Sequence, residues 1–393
     1  MIKADQPPEY VIGVMLIDVE GKNADQFHRL VEQAVQAFDT ALARALGLRV
    51  ELLAFTGPHL VPTAGTYAPF DFLRMGLTEK LERKVHFLLI VTEVDLAAST
   101  LSYTLALPSP LTNVGVISTK RLDPTFWGDP ADDARAVKRL TALLLHTFGH
   151  LLNLPHADGA NNAMHDVTNV SDLDQMDQLT DAQREQMRRA LPLEAHEHTS
   201  HQNHWRFALR MLLLDWRNVV RAVSRANPLH LITRLPTMIT AALSVIIVFF
   251  FSPEIWDVGS TVAFYQLALF SMAAVIGSTA VLYRSFAFGG MLSRGRVLSE
   301  SAVVTAAATV LSLFLTMLLL FSLFVGLTFL GTITVFPQKL METWPTVDPA
   351  VHTIDHLKLS LFVAALGLLA GSLGGRADSK DLVRRVLFID EET

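Results

Sequence analysis

No cysteine occurs anywhere in the sequence. That excludes disulfides and thiolate metal ligands, so any metal site has to be assembled from His, Asp or Glu. Charge is the second scarcity. Four stretches hold no Asp, Glu, Lys or Arg: Thr237 to Ser252, Val258 to Tyr283, Ala302 to Gln338 and Leu359 to Gly375, of 16, 26, 37 and 17 residues. Residues up to about 205 read as a mixed globular sequence, so the apolar excess (51% of the chain) is concentrated in the second half. A formal charge of −6 offers no basic footprint for nucleic acid, and none is expected as a partner. The first twenty residues carry charges at both ends of a short apolar core, which predicts a strand rather than a signal peptide.

What is present follows from those runs. A helix needs about 20 residues to cross a hydrocarbon core, so each run predicts one span, with flanking residues extending the short ones. The third run reads either as one tilted helix or as a helix followed by a re-entrant piece after Gly326 or Gly331. Basic residues precede the first run (Arg206, Arg210, Arg217, Arg221, Arg225, Arg234), separate the second from the third (Arg284, Arg294, Arg296) and follow the fourth (Arg376, Lys380, Arg384, Arg385). The other two loops are poor in Lys and Arg, so both termini are expected in the cytoplasm, with the protein in the plasma (inner) membrane. Uncharged spans argue against ion pumping and favour an anchor or assembly domain. Gly367, Gly371 and Gly375 make two small-xxx-small steps, suited to close helix packing or oligomer formation. The bland alternative is a glycine-rich end on a lipid-facing helix. Residues 205 to 225 place Arg206, Arg210, Arg217 and Arg221 along one side of a helix and Phe207, Leu213, Trp216, Val220 and Val223 along another. That pattern resembles an interfacial helix on an anionic leaflet.

The first half predicts strands at Tyr10 to Ile17, 48 to 55, 85 to 94 and 113 to 118. Helices are expected at 24 to 46, ending at Gly47, at 130 to 153 and at 180 to 191, the last opened by a Thr180–Gln183 capping box. The segment HTFGHLLNLPH (146 to 156) closes the long helix. Residues i and i+4 share a helix face, so His146 and His150 can both address one metal ion. Asn153 suits the left-handed residue of a sharp helix exit, Pro155 forbids further helix, and His156 then lies where the chain turns back. Three imidazoles leave a fourth tetrahedral position open. Met164 follows eight residues later, and taken alone reads as a core residue. A second cluster of His196, His198, His201 and His204 reads more simply as a solvated linker than as a metal or pH site.

HTFGHLLNLPH with Met164 downstream resembles the metzincin pattern H-E-x-x-H-x-x-G-x-x-H and its methionine turn. The element order looks most like the archaemetzincins, and TEVDL (92 to 96) and VGVISTKRL (114 to 122) are similar to segments of that family. The likeness covers roughly residues 10 to 190. It implies an α+β domain with a mixed sheet and a long active-site helix, one zinc ion on His146, His150 and His156, Met164 and Asn153 supporting the site, and a peptide or protein segment as substrate or ligand. Three departures stand out. Thr147 occupies the general-base glutamate position, Asn153 replaces a glycine, and Ala157 and Asn162 stand where that family places the cysteines of a second zinc site. A threonine hydroxyl cannot act as the base near neutral pH, so activity is expected to be reduced or lost, with Asp158 and Asp166 as candidate substitutes. The expected organisation is a cytoplasmic metzincin-like domain (1–195), a His-rich linker and interfacial helix (196–235), an all-α membrane domain of about four helices (236–376) and a cytoplasmic tail (377–393). The alternative from another class is a four-span channel or transport accessory regulated by the cytoplasmic domain.

Overall fold

The computed structural model describes residues 10–19, 21, 24–47, 50–60, 67–97, 103–195, 199–200, 204–285, 298–335 and 353–374. The chain forms two compact units, one built chiefly from residues 1–203 and the other from His204 onward. His196, His198, His201, Gly375 and the tail 377–393 lie outside the described residues.

The first unit runs β1 (Tyr10–Ile17), α1 (Ala24–Leu46), β2 (Val50–Thr56), α2 (Pro69–Arg83), β3 (Phe87–Thr92), β4 (Ala106–Ser109), β5 (Val114–Ser118), α3 (Asp133–Leu151) and α4 (Asp181–Glu194). The sheet order is β2-β1-β3-β5-β4, parallel except for β4, which pairs antiparallel with β5. Such strands are apolar on both faces because helices cover both. On one face Ile12, Val14, Leu89 and Val91 share a core with Phe27, Val31 and Phe38 of α1 and Leu140, Leu143 and Phe148 of α3. On the other lies α2, where a Cβ at Gly76 would come within 2.6 Å of the Ile90 side chain. Neither α2 nor β4 was expected from the sequence. A glycine and scattered charges hide the first, and a proline interrupts the second. Ser118 N donates to Leu105 O (2.8 Å), which turns alternate residues 105, 107 and 109 toward β5 and leaves the Pro108 nitrogen on the outer edge, where no donor is required.

The long helix starts at Asp133 rather than Pro130, because the Asp132 side chain accepts from Arg135 N (3.0 Å) and caps it there. The Thr180–Gln183 capping box is present, with Gln183 N donating to Thr180 Oγ1 at 3.2 Å and Thr180 N to Gln183 Oε1 at 2.9 Å. Arg139, almost fully buried on α3, donates from Nε to Asp174 Oδ1 (2.7 Å) and from Nη1 to Leu122 O (3.1 Å). Arg135 donates to Asp174 Oδ2 at 2.7 Å. These bonds pin the short 3-10 turn Val170–Asp174 to the helix that carries the histidines.

The second unit contains α5 (His204–Leu214), α6 (Trp216–Ala226), α7 (Pro228–Ile232), α8 (Pro236–Phe250), α9 (Pro253–Thr261), α10 (Phe264–Ser285), α11 (Glu300–Val335) and α12 (Thr353–Gly374). Within α10, α11 and α12 lie three stretches long and apolar enough to cross a membrane: Phe264–Arg284, Val303–Val335 and Ile354–Gly374. The first expected span is different. With 15 residues α8 rises only roughly 22 Å, and α9 follows it at 87°. Pro253, which has no N–H to continue a helix, marks the bend. A count of four therefore holds only if this bent pair is one span. Val258 to Thr261, expected to open the second span, belongs to α9, and extended Val262 separates it from α10. The third run is a single helix through Gly326 and Gly331 as far as Val335, with residues 336–338 outside the described set.

Gly367 and Gly371 face α8. A Cβ at Gly371 would lie 2.7 Å from Met238 O and 2.8 Å from Ala242 Cβ, so these glycines let two helices of the same chain approach closely. Ser278 of α10 donates to Leu368 O of α12 at 3.3 Å. The expected interfacial helix is two helices broken at Asp215. Val219, Ala222, Val223 and Ala226 fill the buried side of α6, while Leu213, Trp216 and Val220 stay exposed near the arginines.

Two outcomes follow. Burial alone would raise the Asp174 carboxyl, but hydrogen bonds and charge from Arg139 and Arg135 outweigh it and hold the group below the usual carboxylate range. Its stabilising contribution is thus full above the unfolded carboxyl pKa and lost as pH falls through the lower folded value. Asp174→Asn should cost about 3 kcal/mol at pH 7, because it strands the buried Arg139, and much less near pH 2. Denaturant unfolding at both pH values checks this, and an equal loss at both would contradict it. In α12, Gly371→Val should lower the unfolding temperature of the detergent-solubilised chain, at a cost of about 1–3 kcal/mol for overpacking. An unchanged melt would mean that the α8–α12 contact contributes little.

Candidate metal centre

Each side of the last turns of α3 has a different task. Phe148 points into the core, packing edge-on against Phe38 (6.0 Å between centroids) and Phe87 (5.3 Å). Thr147 packs its γ-methyl onto Gly115 of β5, where any side chain larger than hydrogen would overlap it. Gly149 accommodates the Met164 sulfur in the space a methyl would take. His146 and His150 remain, one turn apart and both buried.

The helix ends in a Schellman motif. Leu154 N donates to Gly149 O (3.0 Å) and Asn153 N to His150 O (2.9 Å), with Asn153 left-handed at φ 58°. That reversal brings His156 back over the two helical histidines. His150 Nε2 lies 2.9 Å from His146 Nε2 and 3.0 Å from His156 Nε2. One ligand atom from each histidine lies within 4.8 Å of the others, a group that could hold a metal ion.

The outward nitrogens reveal the chemistry. His146 Nδ1 donates to Ala163 O (2.7 Å) and His150 Nδ1 to Leu154 O (3.1 Å). His156 Nδ1 lies 3.8 Å from the Asp166 carboxylate. A carbonyl is a pure acceptor, so the two helical histidines carry the ring proton on Nδ1 and direct an Nε2 lone pair inward, while the Asp166 carboxylate, too far for a hydrogen bond, stands on the outer side of His156. The lone pairs of His146 and His150 repel one another at 2.9 Å, and a cation between them, taking the His156 nitrogen as a third ligand, removes the repulsion. The spacing is a few tenths of an ångström tighter than the roughly 3.3 Å expected for tetrahedral zinc ligands, a small outward relaxation. The residues present therefore fit a divalent metal of zinc type.

The segment after the helix is held as firmly. Ala157 N donates to Met164 O (2.8 Å), Met164 N to Asn162 Oδ1 (2.8 Å) and Ala163 N to Gln178 O (2.7 Å). Buried Asn162 exchanges amide hydrogen bonds with Gln183 of α4, at 3.2 and 3.0 Å. Met164 is fully buried. Asp158 is exposed, and Asp166, also exposed, stands on the Nδ1 side of His156, away from the converging nitrogens. The Thr147 hydroxyl is buried and has no hydrogen-bond partner among the described residues.

Sequence reasoning named all three histidines, Asn153 and Met164, knew Gln183 only as a helix cap, and missed Gly149, Gly115 and the carbonyls of Leu154 and Ala163. Gly149 had a signal, since a glycine inside a helix is disfavoured by about 1 kcal/mol unless something needs its space. The carbonyls have none, because every residue carries one. By propensity alone Gly149→Ala would stabilise the helix by about 1 kcal/mol. The close Met164 sulfur predicts the opposite, a loss of about 1–3 kcal/mol with displacement of Met164. Thermal unfolding decides between the two signs.

No protein-family model matches the chain. Over 84 residues it is 34% identical to the archaemetzincin of Pyrococcus furiosus and 30% identical to that of Thermococcus kodakarensis, covering 21% of this chain and 44% and 45% of those proteins. The chain thus spans less than half the length of the curated relatives it matches. Among solved structures, the archaemetzincin from Methanopyrus kandleri aligns at 20% identity over 47% of this chain and 98% of its own, with a TM-score of 0.38. A zinc-dependent peptidase from Methanocorpusculum labreanum aligns at 19% identity over 44% of this chain and 100% of its own, with a TM-score of 0.34. A segment of this chain is therefore similar to the archaemetzincins, and the chain carries a triad of histidines that could hold a metal ion.

Proposed function

We propose that this protein is a membrane-anchored metzincin-like domain, facing the cytoplasm, that holds one zinc ion on His146, His150 and His156 and engages a peptide or protein segment. The observation that carries the reading is the set of inward Nε2 atoms whose outer nitrogens face the acceptors Ala163 O, Leu154 O and Asp166. Similarity to archaemetzincins supports zinc and a peptide ligand. Three long apolar stretches support the membrane location. Exposed Leu213 of α5 and Trp216 and Val220 of α6, beside Arg217 and Arg221, support an interfacial seat for this segment.

Bound zinc would supply Lewis acidity toward a carbonyl or a water. The rest of the chemistry falls to the chain, and there Thr147 limits it. Its hydroxyl has no proton affinity to serve as a base near pH 7, and its methyl is committed to packing on Gly115. Loss of a general base costs typically ~10² to 10⁴-fold in rate, so the site binds better than it hydrolyses. Asp166 is better placed to orient His156 than to replace the base, since it sits on the outer nitrogen. Asp158 is exposed in the loop after His156. An extended peptide would pair with an edge of the sheet through main-chain hydrogen bonds.

Metal analysis of the purified full chain beside His150→Ala tests the site. About one zinc per wild-type chain, lost in the variant, is the expected result. Metal-free wild type would sink the reading. Thr147→Glu should then raise chelator-sensitive peptide hydrolysis by at least ~10²-fold. Wild-type cleavage already as fast as the glutamate variant would show that another group acts as base.

A further inference from the structure

Glu194, the last residue of α4, makes two contacts that the proposed metal chemistry does not use. Its Oε1 accepts from Asn153 Nδ2 at 3.1 Å, and its main-chain oxygen accepts from Asn113 Nδ2 at 2.7 Å. Both asparagines are left-handed, at φ 58° and 55°. One residue thus ties down two reversals. The first is the turn that feeds β5, the strand on which Thr147 rests, and the second is the helix exit between His150 and His156.

Asn153 is the hinge of the metal site. Its backbone direction sets where Leu154 O meets His150 Nδ1, and where His156 returns toward His150. A left-handed asparagine reaches this conformation less readily than glycine would, so the backbone alone does not account for the amide. What the amide adds is the bond to Glu194.

We propose that Glu194 is a positioning residue for the metal centre, acting through Asn153 to fix the approach of His156 to the helical histidines. The inference rests on the reading that the three histidines hold zinc. Its consequence is that occupancy of the site depends on how the end of α4 is held.

The test uses the full-length protein, with zinc affinity measured by chelator competition and the site read by the visible spectrum of the cobalt(II)-loaded chain. Glu194→Ala should weaken zinc by about 10-fold, the lower range for outer-shell partners, and shift the cobalt bands. Glu194→Gln keeps an oxygen acceptor and should restore both. Asn153→Gly keeps the left-handed backbone without the amide and should match the loss in Glu194→Ala, and the double variant should lose no more than either single one. Wild-type affinity and an unshifted spectrum in Glu194→Ala, whatever its melting temperature, would overturn the proposal. So would additive losses in the double variant. Wild type that binds neither metal would overturn the zinc reading and this inference together.

Discussion

Three converging imidazole nitrogens, two of the separations being 2.9 and 3.0 Å, are the constraint on which the first unit is organised. Neutral rings do not gather in that way unaided. Each must have its proton drawn to the outer nitrogen, and each must be held against the repulsion. The carbonyls of Ala163 and Leu154 do the first for the two helical histidines. The Schellman exit and the segment to Met164 do the second, by converting a helix face and a returning loop into one cage. The core behind it fixes the helix itself, because Phe148 is wedged between α1 and β3 one residue from Thr147.

The loop that closes the cage is short of regular structure and would be costly to order by itself. Its anchors come from three directions. Asp174 returns to α3 through Arg139 and Arg135, Asn162 pairs with Gln183 at the head of α4, and Asn153 reaches Glu194 at the foot of the same helix. Both ends of α4 therefore bear on the metal turn. A helix that packs Met187 and Leu191 into the shared core thus bears on the site without supplying a ligand.

Much of this was legible in the sequence, and the division has physical causes. The 24–46 helix was read to its observed ends because its apolar spacing is regular and Gly47 adopts the positive φ of a helix stop. The histidines were legible because ligand spacing on a helix is a fixed geometric requirement. The start of α3 was misjudged by three residues, since Pro130 and Asp132 both suit a helix entry and only the Asp132 side-chain bond decides. α2 escaped because Gly76 answers to Ile90 across the sheet, a contact with no local trace. The bent α8–α9 pair escaped because hydropathy sees composition and is blind to a proline's direction. In α12 the glycine spacing was visible, yet its partner, α8, was not.

Thr147 can be weighed against this background. A glutamate at that position would need to leave the Gly115 surface and direct a carboxylate toward the open side of the histidines, and β5 provides a glycine, the smallest possible neighbour, just there. Threonine instead turns its methyl to the strand and leaves a buried hydroxyl without a described partner, an arrangement that costs about 1–3 kcal/mol of desolvation. Stability does not explain that choice, since alanine or valine would pack on Gly115 without the penalty. The hydroxyl is thus kept at a cost that packing does not explain, one residue from His146 in a group of histidines that could hold a metal ion.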